Sequence, residues 1–183
     1  MYDGDATDWG KYDLALALNC AGLHEEALNM ANRVRKLTRT PEYAYNYACL
    51  LSLDGQTKLA LEWHEFAFKL GDSNVAWAKQ DPELKRVGED QAEAFARITE
   101  VKWEWRINYG IFNDDIVLTN KSVFPLTNIT VVPTIMKNGQ TFTKSLTVGY
   151  LAAGQSYTWE DVFSIPGSSA DSATAKLSCN QTK

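Results

Sequence analysis

The apolar residues of this chain change their spacing near residue 100, and that change constrains the fold more than any other feature. Upstream they recur at helical intervals; downstream they tend to alternate, and Thr, Val and Gly become frequent. The first pattern gives a helix one apolar stripe, and the second gives a strand one apolar face. An α+β protein of two domains is expected, helical over residues 1–100 and β over residues 101–183. Charge divides at the same place. Residues 1–100 carry 17 acidic and 11 basic side chains, a net of −6, whereas residues 101–183 carry 6 and 7, a net of +1. The junction has no Gly/Ser- or Pro-rich linker, so close packing of the two parts is expected.

Within the helical half the sequence repeats itself at an offset of 33 residues. Gly22 aligns with Gly55, Ala15 with Ala48, Ala27 with Ala60 and Leu37 with Leu70. Each copy reads as helix, Gly-containing turn, helix: Trp9–Cys20 and Glu25–Leu37, then Glu42–Leu53 and Thr57–Leu70. The small alanines allow two helices to cross closely. The glycines suit a helix end that needs a left-handed backbone, and Pro41 suits a first turn, where its missing N–H costs little.

The stretch Ala44-Tyr45-Asn46-Tyr47-Ala48-Cys49-Leu50-Leu51, followed by Gly55 and Ala60-Leu61-Glu62-Trp63, resembles the tetratricopeptide repeat. The first copy departs from that pattern, with Asp13 where Asn is common and His24 where an aromatic residue is common. Trp77–Val87, containing Asp81-Pro82-Glu83-Leu84, resembles the segment that closes such arrays. The resemblance covers roughly residues 8–90. Two copies fall short of the three or so that bury a continuous core. Residues 72–100 supply the missing layer, further repeats precede Met1, or both.

The resemblance implies a groove lined by the first helix of each repeat. The corresponding positions are Trp9, Tyr12, Leu16 and Asn19, then Glu42, Tyr45, Cys49 and Ser52. That mixture suits a peptide held by ring contacts and amide hydrogen bonds. On that reading, Tyr12→Ala with Tyr45→Ala weakens partner capture and leaves the fold intact. The competing reading packs these residues against Trp77, the second domain or further repeats. A second interaction candidate is the basic run Arg33, Arg35, Lys36 and Arg39. On a continuous helix Arg35 and Arg39 share a face, as do Arg33 and Lys36, and an anionic partner could dock there. The alternative is a solvated face near a helix C-terminus.

In the second half, Trp103, Trp105 and Ile107 fall on one strand face and Lys102, Glu104, Arg106 and Asn108 on the other. Further strands are expected at Asp115–Thr119, Asn128–Met136, Thr141–Tyr150, Ser156–Phe163 and Ser172–Cys179. Asn113-Asp114, Lys137-Asn138-Gly139, Ala153-Gly154 and Pro166-Gly167 punctuate them. Short strands at this spacing resemble an antiparallel immunoglobulin-like or fibronectin-like sandwich, such as bacterial modules appended to repeat proteins. Asn120 and Asn128, each ending a Leu-Thr-Asn, are expected at strand ends, bonding locally.

Reaction chemistry finds little to work with. There are two histidines. His64-Glu65 lacks the second His of a zincin helix, and His24 sits in a turn. Cys20, Cys49 and Cys179 are widely spaced in apolar contexts and read as buried thiols, not ligands, nucleophiles or a disulfide framework. No phosphate-cradling Gly-rich loop and no nucleophile elbow occurs. Asp114-Asp115 and Glu160-Asp161 are neighbours that point to opposite strand faces. Asp3, Asp5 and Asp8 lack the remaining ligands of a calcium loop. Asn120-Lys121-Ser122, Asn128-Ile129-Thr130 and Asn180-Gln181-Thr182 match a glycosylation acceptor that matters only on a secretory route. A net charge of −5 disfavours nucleic acid and anionic membranes, and no apolar run is long enough to span a bilayer.

The expectation is a non-catalytic protein- or peptide-binding module without cofactor or metal, cytoplasmic, and part of a signalling protein or scaffold. Two alternatives stay open. One is a carbohydrate-binding sandwich using Tyr150, Tyr157 and Trp159, rings whose simpler fate is burial. The other is a structural spacer.

Overall fold

The computed structural model describes residues 6–34, 39–110, 114–164 and 169–182. The chain divides into two compact units, Met1–Glu100 and Val101–Lys183. Helices make up the first and antiparallel sheets the second.

The first unit contains α1 (Ala6–Cys20), α2 (His24–Ala31), α3 (Pro41–Leu53), α4 (Thr57–Lys69), α5 (Val75–Ala78), a 3-10 turn (Pro82–Leu84), α6 (Lys85–Asp90) and α7 (Ala92–Thr99). The sequence repeat has a structural counterpart at the level of single hydrogen bonds. The Leu23 amide donates to the Leu18 carbonyl (3.0 Å) and the Gly22 amide to Asn19 (2.9 Å). Thirty-three residues on, Gln56 donates to Leu51 (2.8 Å) and Gly55 to Ser52 (3.0 Å). A third instance closes α4, where Asp72 donates to Ala67 and Gly71 to Phe68. This pattern satisfies the last carbonyls of a helix only when the penultimate residue is left-handed. Gly22, Gly55 and Gly71 have φ of 78°, 86° and 109°.

The alanines Ala27, Ala44, Ala48, Ala60 and Ala67 are fully buried, so the helices cross at small side chains. Around them runs an aromatic cluster. Tyr12 lies 5.8 Å from Tyr43, Tyr43 stacks on Tyr47 at 5.6 Å, and Tyr47 meets the Trp63 ring edge-on at 4.8 Å. α3 starts cleanly: Thr40 accepts the Tyr43 amide through its side chain, and Pro41 occupies the first turn.

α2 is shorter than its apolar spacing predicts. It ends at Ala31, not near Leu37. The Ala31 carbonyl accepts the Tyr43 hydroxyl (2.9 Å) and the Val34 amide, while the Tyr47 hydroxyl donates to the Asn32 side chain. The Tyr43 hydroxyl of α3 and the Val34 amide thus take the Ala31 carbonyl, an acceptor that a continuing helix would use.

The second unit has β1 (Trp103–Tyr109), β2 (Asp114–Asn120), β3 (Leu126–Lys137), β4 (Gln140–Thr143), β5 (Leu146–Leu151), β6 (Ser156–Phe163) and β7 (Ser172–Ser178). One sheet runs β1-β2-β6. In the other, β3 pairs with both β4 and β5, and separately with β7. A shared cluster joins the two sheets: Ile116, Val162 and Phe163 from the first pack with Ile135 from the second, flanked by Trp105, Ile107, Phe142 and Leu146. The β3–β4 turn is Asn138-Gly139, with φ of 51° and 74°, a pair matched to the twist of a hairpin.

The stretch expected as one strand over Thr141–Tyr150 is two, interrupted at Lys144 and Ser145. β4 pairs with β3 from Thr134 onward and β5 pairs up to Val131, so the break lies opposite Pro133. Pro133 accepts from the Lys144 amide (3.4 Å) but has no N–H to return. A ladder cannot run through that position on that side. The two Leu-Thr-Asn copies differ in role. Asn120 is fully buried, donates to the carbonyls of Phe124 (2.9 Å) and Leu151 (3.0 Å), and accepts the Ser122 amide (2.9 Å). Asn128 is exposed within β3 with a left-handed φ of 49°.

Candidate functional site

The groove residues read from the sequence separate into a packed set and an open set. Tyr12 is buried: its hydroxyl donates to the Glu42 carbonyl (3.4 Å) and accepts from the Asn46 side chain (2.6 Å). Asn19 is half-buried, donating to Glu83 (2.7 Å) and lying 2.8 Å from His24 Nδ1. Leu16 is half-buried, and Cys49 and Ser52 are buried. Tyr45 is half-buried and donates to Asp81 at 2.6 Å. Trp9, 41% exposed, and Glu42 face solvent. Tyr12 and Tyr45 therefore hold α1, α3 and the 3-10 turn together. Replacing both with Ala perturbs the fold, so that pair does not isolate binding.

Asp81 organises the closing segment. It caps the 3-10 turn by accepting the Glu83 amide (2.9 Å) and takes the Tyr45 hydroxyl and the Cys49 thiol. Burial raises the pKa of Tyr45, and its bond to Asp81 raises it further. Burial, with the fields of Asp81 and Glu83, keeps the Cys49 thiol protonated. Cys49, Asp81 and Glu83 offer a sulfur and two carboxylate oxygens within 4.8 Å of one another. Each is already engaged: Asp81 by donors, Glu83 by Asn19, and Cys49 as a thiol. This arrangement fastens α3 to the turn. His64, close by on α4, is fully buried with both ring nitrogens unpartnered, its ring against Tyr45, Phe68 and Phe95.

Open space remains between α3 and α5. A pocket of about 280 Å³ is lined by Pro41, Glu42, Tyr45, Asn46, Asp72, Asn74 and Trp77. Trp77 is 58% exposed on a four-residue helix whose other face, Val75 and Ala78, is buried. Asp72 accepts the Asn74 amide (3.0 Å) in the turn after α4. Burial raises the Asp72 pKa, the Asn74 and Ser73 amides lower it, and repulsion from Glu42 raises it again. Asp72, Asn74 and Trp77 line this pocket but lie outside the two aligned repeats, so the alignment did not point to them. The third glycine turn, at Gly71, was the available signal. A wider depression of about 820 Å³ runs along α7, with mixed charges from Lys79, Glu93, Arg97 and Glu100.

Of the basic run, Arg33 and Arg39 are exposed, and Arg35 and Lys36 lie outside the described residues. Because α2 ends at Ala31, the helical spacing that paired Arg33 with Lys36 does not apply. Cys20 is exposed, contrary to the expected buried thiol; Cys49 and Cys179 are buried. Tyr150 and Tyr157 are 57% and 41% exposed instead of buried, and Trp159 is half-buried, edge-on to Tyr157 at 4.9 Å. Among the described residues, no helix is long and apolar enough to cross a membrane. No protein-family model, curated protein or solved structure matches this chain.

Proposed function

We propose that the chain is a non-catalytic interaction module. A short tetratricopeptide-like array, closed by α5 and α6, docks a peptide segment of a protein partner, and an immunoglobulin- or fibronectin-like sandwich follows it. The carrying observation is the open pocket between α3 and α5, where Trp77 stands exposed beside Glu42, Asp72 and Asn74. A large exposed ring beside the solvent-facing side chains of Glu42 and Asn74 favours recognition over packing. The mechanism is burial of a partner side chain with a few hydrogen bonds and no covalent step. The 33-residue recurrence of one helix–turn–helix bonding pattern supports the repeat reading.

The test is a random-peptide array probed with the full chain and with Trp77→Ala and Trp9→Ala. Peptides selected by the parent chain should lose signal on the variants, with far-UV circular dichroism melts unchanged. Selected peptides indifferent to both substitutions would refute the groove. A second reading, carbohydrate binding, is favoured by the exposure of Tyr150 and Tyr157, and a glycan array with the Tyr157→Ala variant tests it.

A further inference from the structure

Two carboxylates and an indole share the α3–α5 pocket, and among the described residues no basic side chain lines it. Neither Glu42 nor Asp72 forms an ion pair among the described residues. Of the basic side chains nearest in sequence, Arg39 and Lys69, Lys69 pairs with Glu65, and neither pairs with Glu42 or Asp72 among the described residues. Acidic side chains elsewhere in this unit do find partners, as in Lys11–Asp8 at 3.1 Å and Lys69–Glu65 at 2.8 Å. Asp72 is partly withdrawn from water and repelled by Glu42, so a cation placed between them relieves a repulsion already present.

The remaining wall completes a cation's requirements. The face of a Trp ring attracts a cation through its negative quadrupole, most strongly where water is thin. The Asn46 and Asn74 side chains can accept N–H donors at the periphery. The volume of about 280 Å³ holds one long side chain and excludes a folded surface. The field of the unit has the matching sign, since residues 1–100 carry a net charge of −6.

We propose that this pocket is a specificity pocket for one Arg or Lys side chain of the docked peptide, held between Glu42 and Asp72 with its charged end over Trp77. The inference rests on the groove reading and specifies its ligand as a basic peptide. It also assigns Trp77 and Asp72, neither of which the repeat alignment reaches, as the selecting residues.

The experiment titrates the ¹⁵N-labelled full chain with N-acetyl-arginine amide, N-acetyl-lysine amide and the neutral isostere N-acetyl-citrulline amide. The two cations should shift the Trp77 indole N–H and the Asn74 side-chain amide, with citrulline weaker by about tenfold or more. Trp77→Ala should weaken arginine by about fivefold. Glu42→Gln should weaken it by about threefold, and added salt should act in the same direction. Glu42→Gln combined with Asp72→Asn should erase the preference over citrulline, with an unchanged melting curve showing the fold intact. Citrulline binding as tightly as arginine at the same resonances would overturn the charge assignment and leave the groove standing. Cation binding at Trp77, alongside array peptides indifferent to Trp77→Ala, would overturn the groove reading alone. No response at Trp77 to any of the three would overturn the pocket.

Discussion

Acid should loosen the helical unit through His64. Its ring is fully buried among Tyr45, Phe68 and Phe95, and neither nitrogen has a hydrogen-bond partner. Burial lowers its pKa from 6.5 to about 4, and the Asp81 charge opposes that shift only in part. In the folded chain the imidazole stays neutral through the range in which the unfolded chain takes up a proton. The unfolded state then binds more protons as pH falls below 6.5, and stability falls with it. The loss begins near pH 6.5 and levels off below about pH 4, where the folded state is protonated too. A lowering of this size corresponds to about 2 kcal/mol lost by pH 5 and a ceiling of about 3 kcal/mol. Urea unfolding followed at 222 nm reports on the helices, at pH 7.5 and at steps down to pH 4. His64→Leu removes the titrating group while keeping an apolar side chain. The variant should lose markedly less stability between pH 7 and 5 than the parent, whatever its absolute stability at pH 7. Equal pH slopes in the two proteins would refute the assignment, and would place the acid sensitivity elsewhere.

Other consequences can be measured on the same chain. Gly55→Ala puts a Cβ on a residue at φ 86° and 2.9 Å from the Arg86 guanidinium; Gly22→Ala meets open space. Both should cost about 1 kcal/mol from backbone strain, Gly55→Ala slightly more, and equal stability to the parent would contradict the helix-end geometry. Asn120→Ala removes a fully buried side chain that satisfies two carbonyls and one amide, so about 2 to 4 kcal/mol should be lost in denaturant unfolding of the β unit. Asn120→Asp should not rescue it, because a carboxylate cannot donate to Phe124 and Leu151. Tyr45→Phe keeps the ring and withdraws one donor from Asp81, costing about 2 kcal/mol. A neutral result there would mean that Tyr45 is free for a ligand.

Much of the architecture was legible because periodicity reports directly on which face is buried. Trp103, Trp105 and Ile107 are half-buried while Glu104, Arg106 and Asn108 are exposed, and Ile129 and Val131 are buried, as alternation predicts. Gly22 and Gly55 advertised left-handed helix ends, and Asn138-Gly139 advertised a hairpin. The break between β4 and β5 was also written in the sequence, but in Pro133 on the neighbouring strand and not in the broken segment. Reading it required knowing which strand pairs with which.

The sequence by itself determined the change from helix to strand, the 33-residue recurrence, and the residue types at each turn. These are local properties: spacing, backbone preference and donor count act within a few residues. Tertiary structure alone decided which polar side chains are spent. Tyr12, Asn19, Tyr45 and Cys49 occupy groove positions, yet α1, α3 and the 3-10 turn use them to satisfy one another. Glu42 and Trp77 come from separate elements and stay exposed, and Asp72, which accepts the Asn74 amide, lines the same pocket. A buried polar group must find a partner, and the chain finds it among residues distant in sequence. Which groups are left over for another molecule is therefore fixed only once the helices are packed.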